Sequence, residues 1–349
     1  MRLVVLLLVA GLCDLASAQR RDPFFWLMAL RSRGYGHGTL RADTVGGKCP
    51  AECDCPPSFP VAMYCDHRGL REVPYVPSRI KYLYLQGNQI AGIRDGAFDN
   101  STRLVWLMLH QNQLDLNRIG QKVFAKLTDL DRLYLDHNNL TGVPANLPRS
   151  LRELRMNNNI ISGVQATSFE GMSNLTILHL HDNALREVGG ALRGLASLTV
   201  LDLSNNQLKK VPEGLPDTLQ QLYIESNSIA AVPGDFLGRF PRLRYVRLSH
   251  NELTDRGVPP HTFNASGLVE LDLSFNKLEK IPQVSSSLEH LYLQANRIKE
   301  FSVGSFCGAV DVGSFSRLKV LRLGGNEIGP EDIPGDAALC LRVASTIEV

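Results

Sequence analysis

The sequence predicts an α/β-type solenoid: a curved parallel β-sheet of short strands, with mostly irregular outer connections and disulfide-stapled caps at both ends. Three observations predict it. A leucine and asparagine frame recurs along most of the 349 residues, six of the seven cysteines lie in the segments that bound the recurring part and the seventh, Cys13, in the leading apolar segment, and no catalytic motif interrupts the frame.

The chain opens MRLVVLLLVAGLCDLASAQ. An early arginine, an apolar run and an Ala-Ser-Ala ending form the layout of a cleaved secretory signal, so residues 1–18 are expected to be removed and the mature chain to begin at Gln19. No later stretch approaches the roughly 18 consecutive apolar residues of a membrane span. The ending LRVASTIEV carries no hydrophobic anchor tail, so a secreted protein with no membrane partner is expected.

Residues 19–48 form a basic arm. Arg20, Arg21, Arg31, Arg33, Arg41 and Lys48 stand against Asp22 and Asp43, while the rest of the chain is nearly neutral. The glycine-rich GYGHG at 34–38 has no strand before it or helix after it, and reads as loop.

Residues 49–79 read as an N-terminal cap with the spacing C-x3-C-x-C-x9-C over Cys49, Cys53, Cys55 and Cys65. With Cys307 and Cys340, the mature chain holds six cysteines, an even count that in an oxidising compartment reads as three disulfides. The rival reading, a four-cysteine zinc site at 49–65, suits a reducing compartment better than a secreted chain.

Residues 80–306 hold ten repeats of L-x-x-L-x-L-x-x-N-x-L, and residues 307–349 an eleventh with the C-terminal cap. The frame is clearest at Leu130, Leu133, Leu135, Asn138 and Leu140, and its asparagines are 88, 112, 138, 159, 183, 206, 227, 251, 276, 296 and 326. Successive intervals run 24, 26, 21, 24, 23, 21, 24, 25, 20 and 30, two long and one short recurring three times. Such leucine-rich repeats each give one short strand, and stacking buries a core that no single repeat could bury. Short repeats carry Val143-Pro144, Val211-Pro212 or Ile281-Pro282, whereas Phe98, Phe124, Phe169 and Phe263 are placed for a buried outer row. The frame asparagine is expected to satisfy backbone groups as the chain leaves the strand.

Asn139, one residue past a frame asparagine, starts a glycosylation triplet, as do Asn100, Asn174 and Asn264. All four are expected in exposed turns or outer connections. The residues flanking each strand leucine point to the concave face and are free for a partner. There the chain places Tyr82, Tyr84, Trp106, Arg132, Tyr134, Arg155, His179, His181, Asp202, Tyr223, Glu225, Tyr245, Arg247, Glu270, His290, Tyr292 and Arg322, among others, including seven of the eleven Tyr and Trp residues. Aromatics interleaved with both charge signs suit a protein ligand better than nucleic acid or another polyanion. Pairing of two such faces in a homodimer uses the same surface. Neither a zincin motif, a nucleophile elbow, a P-loop nor a paired-cysteine redox motif occurs, so neither an enzyme nor a cofactor is expected.

The cap spacing, the long-long-short rhythm, and stretches such as CPAECDCPPSFPVAMYCD and LYLDHNNLTGVPANLPRSLREL resemble the small leucine-rich proteoglycans of the fibromodulin and lumican class over residues 49–349. The resemblance implies the pairs Cys49 with Cys55, Cys53 with Cys65, and Cys307 with Cys340. It implies a matrix protein that binds fibrillar collagen, type I foremost, and regulates fibril growth, with keratan sulfate carried on asparagines matching Asn100, Asn139, Asn174 and Asn264. It places collagen contact in the last repeats, where Glu327 matches an acidic residue and Gly329 stands in place of a base. Tyr223, Tyr245, Arg247, His290, Tyr292 and Arg322 are the accompanying contact candidates on the later strands. A soluble trap for a growth factor such as transforming growth factor beta is the alternative function. The arm departs from the acidic, tyrosine-rich arm that the resemblance implies, and its charge suits sulfated glycosaminoglycans. Deleting residues 19–48 should therefore shorten retention on heparin at low salt, and unchanged retention would remove the arm from that role.

Overall fold

The computed structural model describes residues 47–308 and 314–349. The signal segment and nearly all of the basic arm lie outside the described residues. The strands are β1 (Ala62–Tyr64), β2 (Tyr82–Tyr84), β3 (Trp106–Met108), β4 (Arg132–Tyr134), β5 (Glu153–Arg155), β6 (Ile177–His179), β7 (Val200–Asp202), β8 (Gln221–Tyr223), β9 (Tyr245–Arg247), β10 (Glu270–Asp272), β11 (His290–Tyr292), β12 (Val320–Arg322) and β13 (Thr346–Glu348). They form one sheet in chain order, each parallel to the next. The eleven repeats account for β2–β12. The first and last strands are additions that the repeat count does not foresee, one supplied by each cap.

Register follows from the leucines. The central residues Leu83, Leu107, Leu133, Leu154, Leu178, Leu201, Leu222, Val246, Leu271, Leu291 and Leu321 face one another across the sheet and are fully buried. A slip of one residue would turn this whole row outward, so burial pins the pairing. On the other side of the core, Phe98, Phe124, Phe169, Phe263 and Phe306 are all buried, closing it from outside.

The frame asparagines join neighbouring repeats. Asn138 donates from its amide nitrogen to the carbonyls of Leu109 and Leu135 at 3.0 Å and of Asp136 at 3.1 Å, and its oxygen accepts from the Leu114 amide at 2.9 Å. The oxygen of every other frame asparagine likewise accepts from the backbone of the preceding turn, from Asn88 to Asn326. These side chains supply the partners that the backbone lacks where it leaves the strand.

The residue before each frame asparagine has a positive φ: 69° at Gly87, 55° at Gln111, 53° at His137, 53° at Phe275, 50° at Ala295 and 77° at Gly325, with the others between 51° and 53°. Only two of the eleven are glycine, although the left-handed conformation costs other residues about 1–2 kcal/mol. The asparagine bonds offset that strain.

The outer connections are mostly irregular, as the sequence predicts. Among the described residues they carry five single 3-10 turns and one four-residue helix, α1 (Ala337–Cys340). Repeats of 20 to 26 residues, the last of 30 apart, with prolines in the short ones leave little length for more. Disulfides close Cys49 with Cys55 and Cys53 with Cys65 at the N-terminal cap, and Cys307 with Cys340 at the C-terminal one. These are the pairs that the resemblance implies.

Replacing Asn138 by Ala should lower stability by about 3 kcal/mol or more, since it strands several buried backbone groups at about 1–3 kcal/mol each. Replacing Ala295 by Gly should raise stability by up to about 1 kcal/mol, because it removes the left-handed strain but loosens the unfolded chain. Urea denaturation checks both signs.

Candidate functional site

The in-register stack sets the side chains that flank the central leucines into rows across the open face. One row runs Tyr64, Tyr84, Met108, Tyr134, Arg155, His179, Asp202, Tyr223, Arg247, Asp272, Tyr292, Arg322 and Glu348. Neighbours in a row stand about 4.8 Å apart, close enough for rings and charges to touch although about twenty residues or more separate them in sequence.

At the N-terminal end the row is aromatic. Tyr64 stacks on Tyr84 with centroids 4.6 Å apart, and Tyr82 meets the Trp106 ring edge-on at 5.3 Å. Tyr84 and Tyr134, expected to be free for a partner, are instead 3 % and 8 % exposed, because neighbouring rings and guanidinium groups cover them.

Four arginines then repeat one arrangement. Arg132 lies 4.5 Å over Trp106, Arg155 4.4 Å over Tyr134, Arg247 5.2 Å over Tyr223 and Arg322 5.8 Å over Tyr292. Each also meets a carboxylate from the following strand or its own: Arg132 reaches Glu153 at 3.6 Å, Arg155 reaches Glu153 at 2.6 Å, Arg247 reaches Glu270 at 2.9 Å and Arg322 reaches Glu348 at 3.5 Å. Stacking on a ring and pairing with a carboxylate hold a guanidinium in place before any partner arrives.

Glu153 is the hub of the first two units. It is 6 % exposed and accepts from the Tyr134 hydroxyl at 3.1 Å and from Arg155 Nε at 2.7 Å. Burial, with Glu153 beside it, pushes the Tyr134 phenol up to about 12. The sequence reading takes Arg155 from that repeat and passes over Glu153. Its place at the first strand position, equivalent to Arg132 and Glu270, is the signal that finds it.

Between the arginine units lies a patch of different chemistry. His179 Nδ1 and His181 Nδ1 approach Asp202 Oδ2 at 3.7 and 3.1 Å, and the two imidazoles meet edge-to-face at 5.6 Å. Ser204 binds the other carboxylate oxygen through its amide at 3.0 Å and its hydroxyl at 2.7 Å. Burial alone would raise Asp202, yet the imidazoles and Ser204 hold it well below the usual carboxylate range. Burial, with Asp202 near, pushes the Glu225 carboxyl up to about 7.

The contact candidates divide by position. Tyr223, Arg247, Tyr292 and Arg322 share one row, whereas Tyr245 and His290 share the row that holds Glu270. Glu327 is off the sheet, exposed in the turn past Asn326, its amide bound to the Ile298 carbonyl at 2.9 Å. Asn100, Asn139, Asn174 and Asn264 are all exposed and none lies on a strand, whereas Asn138 is buried. Two open grooves beside the N-terminal cap are both lined by Arg71, Glu72, Val73 and Arg94, away from the histidines. None of the open-face residues named above lines either groove.

A leucine rich repeat family profile matches residues 78–140, 149–208 and 217–278, and a leucine rich repeat N-terminal domain profile matches 48–78. The chain is 51% identical to fibromodulin of Bos taurus and 52% identical to that of Homo sapiens, over 99% of both chains in each case. It is 50% identical to lumican of Bos taurus over 86% of this chain and 88% of that one. Among solved structures, an internalin of Listeria monocytogenes shares the fold at a TM-score of 0.63 and 22% identity, over 82% of this chain and 79% of that chain. A chain of the octameric complex of Latrophilin 3, Unc5D and FLRT2 does so at a TM-score of 0.64 and 24% identity, over 86% of this chain and 92% of that chain.

Replacing Glu153 by Gln should lower stability by about 1–2 kcal/mol, because a charge-assisted bond becomes a neutral one. It should also let Tyr134 ionise at lower pH, since a nearby negative charge no longer opposes the phenolate. Thermal melts and the phenolate absorbance during alkaline titration check the two effects.

Proposed function

We propose that this chain, which belongs to the fibromodulin and lumican class of the small leucine-rich proteoglycans, meets collagen through strands β8–β13 of its open face. It is a secreted, non-enzymatic core protein of the extracellular matrix that binds fibrillar collagen and regulates fibril assembly. The observation that carries the choice of surface is the pair of tyrosine–arginine–carboxylate units at Tyr223, Arg247 and Glu270 and at Tyr292, Arg322 and Glu348.

The chemistry fits the ligand. A collagen chain is an extended, proline-rich helix with its backbone and charged side chains at the surface. Aromatic grooves take prolines of such helices, and a guanidinium already held in place loses little freedom when it pairs with an acidic side chain. Tyr245 and His290 extend the surface sideways, and Glu327 extends it past the last strand. Occupying fibril surface in this way blocks accretion of further collagen molecules.

The exposed Asn100, Asn139, Asn174 and Asn264 would carry the glycans, keratan sulfate among them, away from the strands. Bulky hydrated chains there set the spacing between fibrils. The basic arm, through Arg20, Arg21, Arg31 and Arg33, would hold sulfated glycosaminoglycans.

Adding the recombinant protein to type I collagen should slow the rise of turbidity and bring the protein down with the fibrils. Replacing Arg247 and Arg322 by Ala together should weaken co-sedimentation by about tenfold or more, as loss of an interface anchor does. Gly329 has an extended backbone, and a side chain there meets only the movable end of Glu331. Gly329→Lys should therefore fold and, by restoring a base near Glu327, strengthen binding. Unchanged turbidity with no co-sedimentation would favour instead a growth factor such as transforming growth factor beta held in solution on the same face. Concentration-dependent dimers lost in the Arg247 and Arg322 variant would show the face pairing with its own copy.

A further inference from the structure

We propose that His179, His181 and Asp202 form a divalent metal site of the zinc type on the open face, with one coordination position left to solvent or a partner. The proposal is independent of the collagen surface, which lies mainly on later strands.

Geometry comes first. One ligand atom from each residue lies within 4.8 Å of the other two. Each Nδ1 faces the same carboxylate oxygen, at 3.7 and 3.1 Å. A tetrahedron with bonds of about 2.0–2.1 Å has ligand-to-ligand edges of about 3.4 Å, close to both nitrogen-to-oxygen distances.

The ring nitrogens are also available. Both Nδ1 atoms are sealed from water and turned to Asp202 Oδ2, an arrangement in which a cation could sit between the rings and the carboxylate. His110 and His290 have similarly sealed Nδ1 atoms, but neither belongs to a cluster of three close ligand atoms.

The carboxylate is oriented for the task. Ser204 occupies Oδ1, which turns Oδ2 toward the imidazoles, as outer partners of a metal ligand do. The same Leu-Asp-Leu-Ser stretch recurs at residues 271–274, where Ser274 binds Asp272 Oδ1 at 2.9 and 2.6 Å. There, Arg247 and Ser249 stand in the preceding repeat where His179 and His181 stand here. The serine and aspartate therefore belong to the repeat, and the His-Leu-His of the preceding strand makes this copy different. Around it, Asp136 and Asp182 add negative potential at His181. Two nitrogens and one carboxylate with an open position suit zinc better than the all-oxygen preference of calcium or magnesium.

Titrating the full secreted protein with zinc chloride at neutral pH, in a buffer that does not chelate, should show one saturable site by calorimetry. Cobalt in its place should give the visible bands of a four-coordinate ion. Asp202→Asn, nearly the same in shape, should abolish both signals, as should a His179→Gln and His181→Gln double variant. Ser204→Ala should weaken binding by about tenfold, the usual loss for an outer partner. Asp272→Asn and His290→Gln should leave binding unchanged. Thermal melts establish that each variant is folded; if the double variant is not, Asp202→Asn decides. No saturable zinc binding, or binding that survives Asp202→Asn, overturns the proposal.

Discussion

Each repeat leaves its strand through a residue in the left-handed conformation, fixed by the asparagine that follows it. At Asn138 one side chain bonds three carbonyls and one amide from two turns of the chain. Left without those bonds, the turn would hold both strain and buried unpaired groups. Their repetition from Asn88 to Asn326 keeps every strand in register with the next, and a solenoid so built depends on its nearest-neighbour contacts. The asparagine therefore fixes where all other residues of the repeat point.

The open face is a product of that register. Leucines occupy the inward position of each strand, so the flanking positions are released from packing and can vary. Along one row the chain places rings, guanidinium groups, imidazoles and carboxylates at the spacing of neighbouring strands. Contact between unlike neighbours produces stacked aromatics near the N-terminal cap, aromatic–arginine–carboxylate units on β3–β5 and again toward the C-terminal cap, and a histidine and carboxylate patch between those units. The arginines on this face are held in place by cation–π contact and ion pairing together. A partner binding them need not order them first.

The ends of the stack obey the same logic as its middle. A cap must cover the last buried leucines, and each cap here does so with a disulfide among buried residues and with an added strand. Cys65 and Cys340 are fully buried, and Met63 of β1 continues the inward row. The asparagines of the acceptor triplets lie where the backbone is already turned to solvent. A sugar at Asn139 would leave the ladder at Asn138 untouched, although the two residues are adjacent.

By itself, the sequence determined the repeat count, the inward leucines, the frame asparagines, the outer phenylalanines and the two capped ends. These are legible because each is a fixed residue type at a fixed offset, and burial or backbone hydrogen bonding allows little else there. It also showed which residues would flank the strands, since that follows from alternation alone. Only the tertiary structure decided which of them meet. The stacking of Arg247 on Tyr223, the burial of Glu153 under two arginines, and the meeting of His179 and His181 with Asp202 all join residues of neighbouring repeats, and their distances depend on rotamers and register that no single repeat encodes. The added strands of the caps were likewise settled by packing, because Ala62–Tyr64 and Thr346–Glu348 pair only once a neighbouring edge exists to receive them.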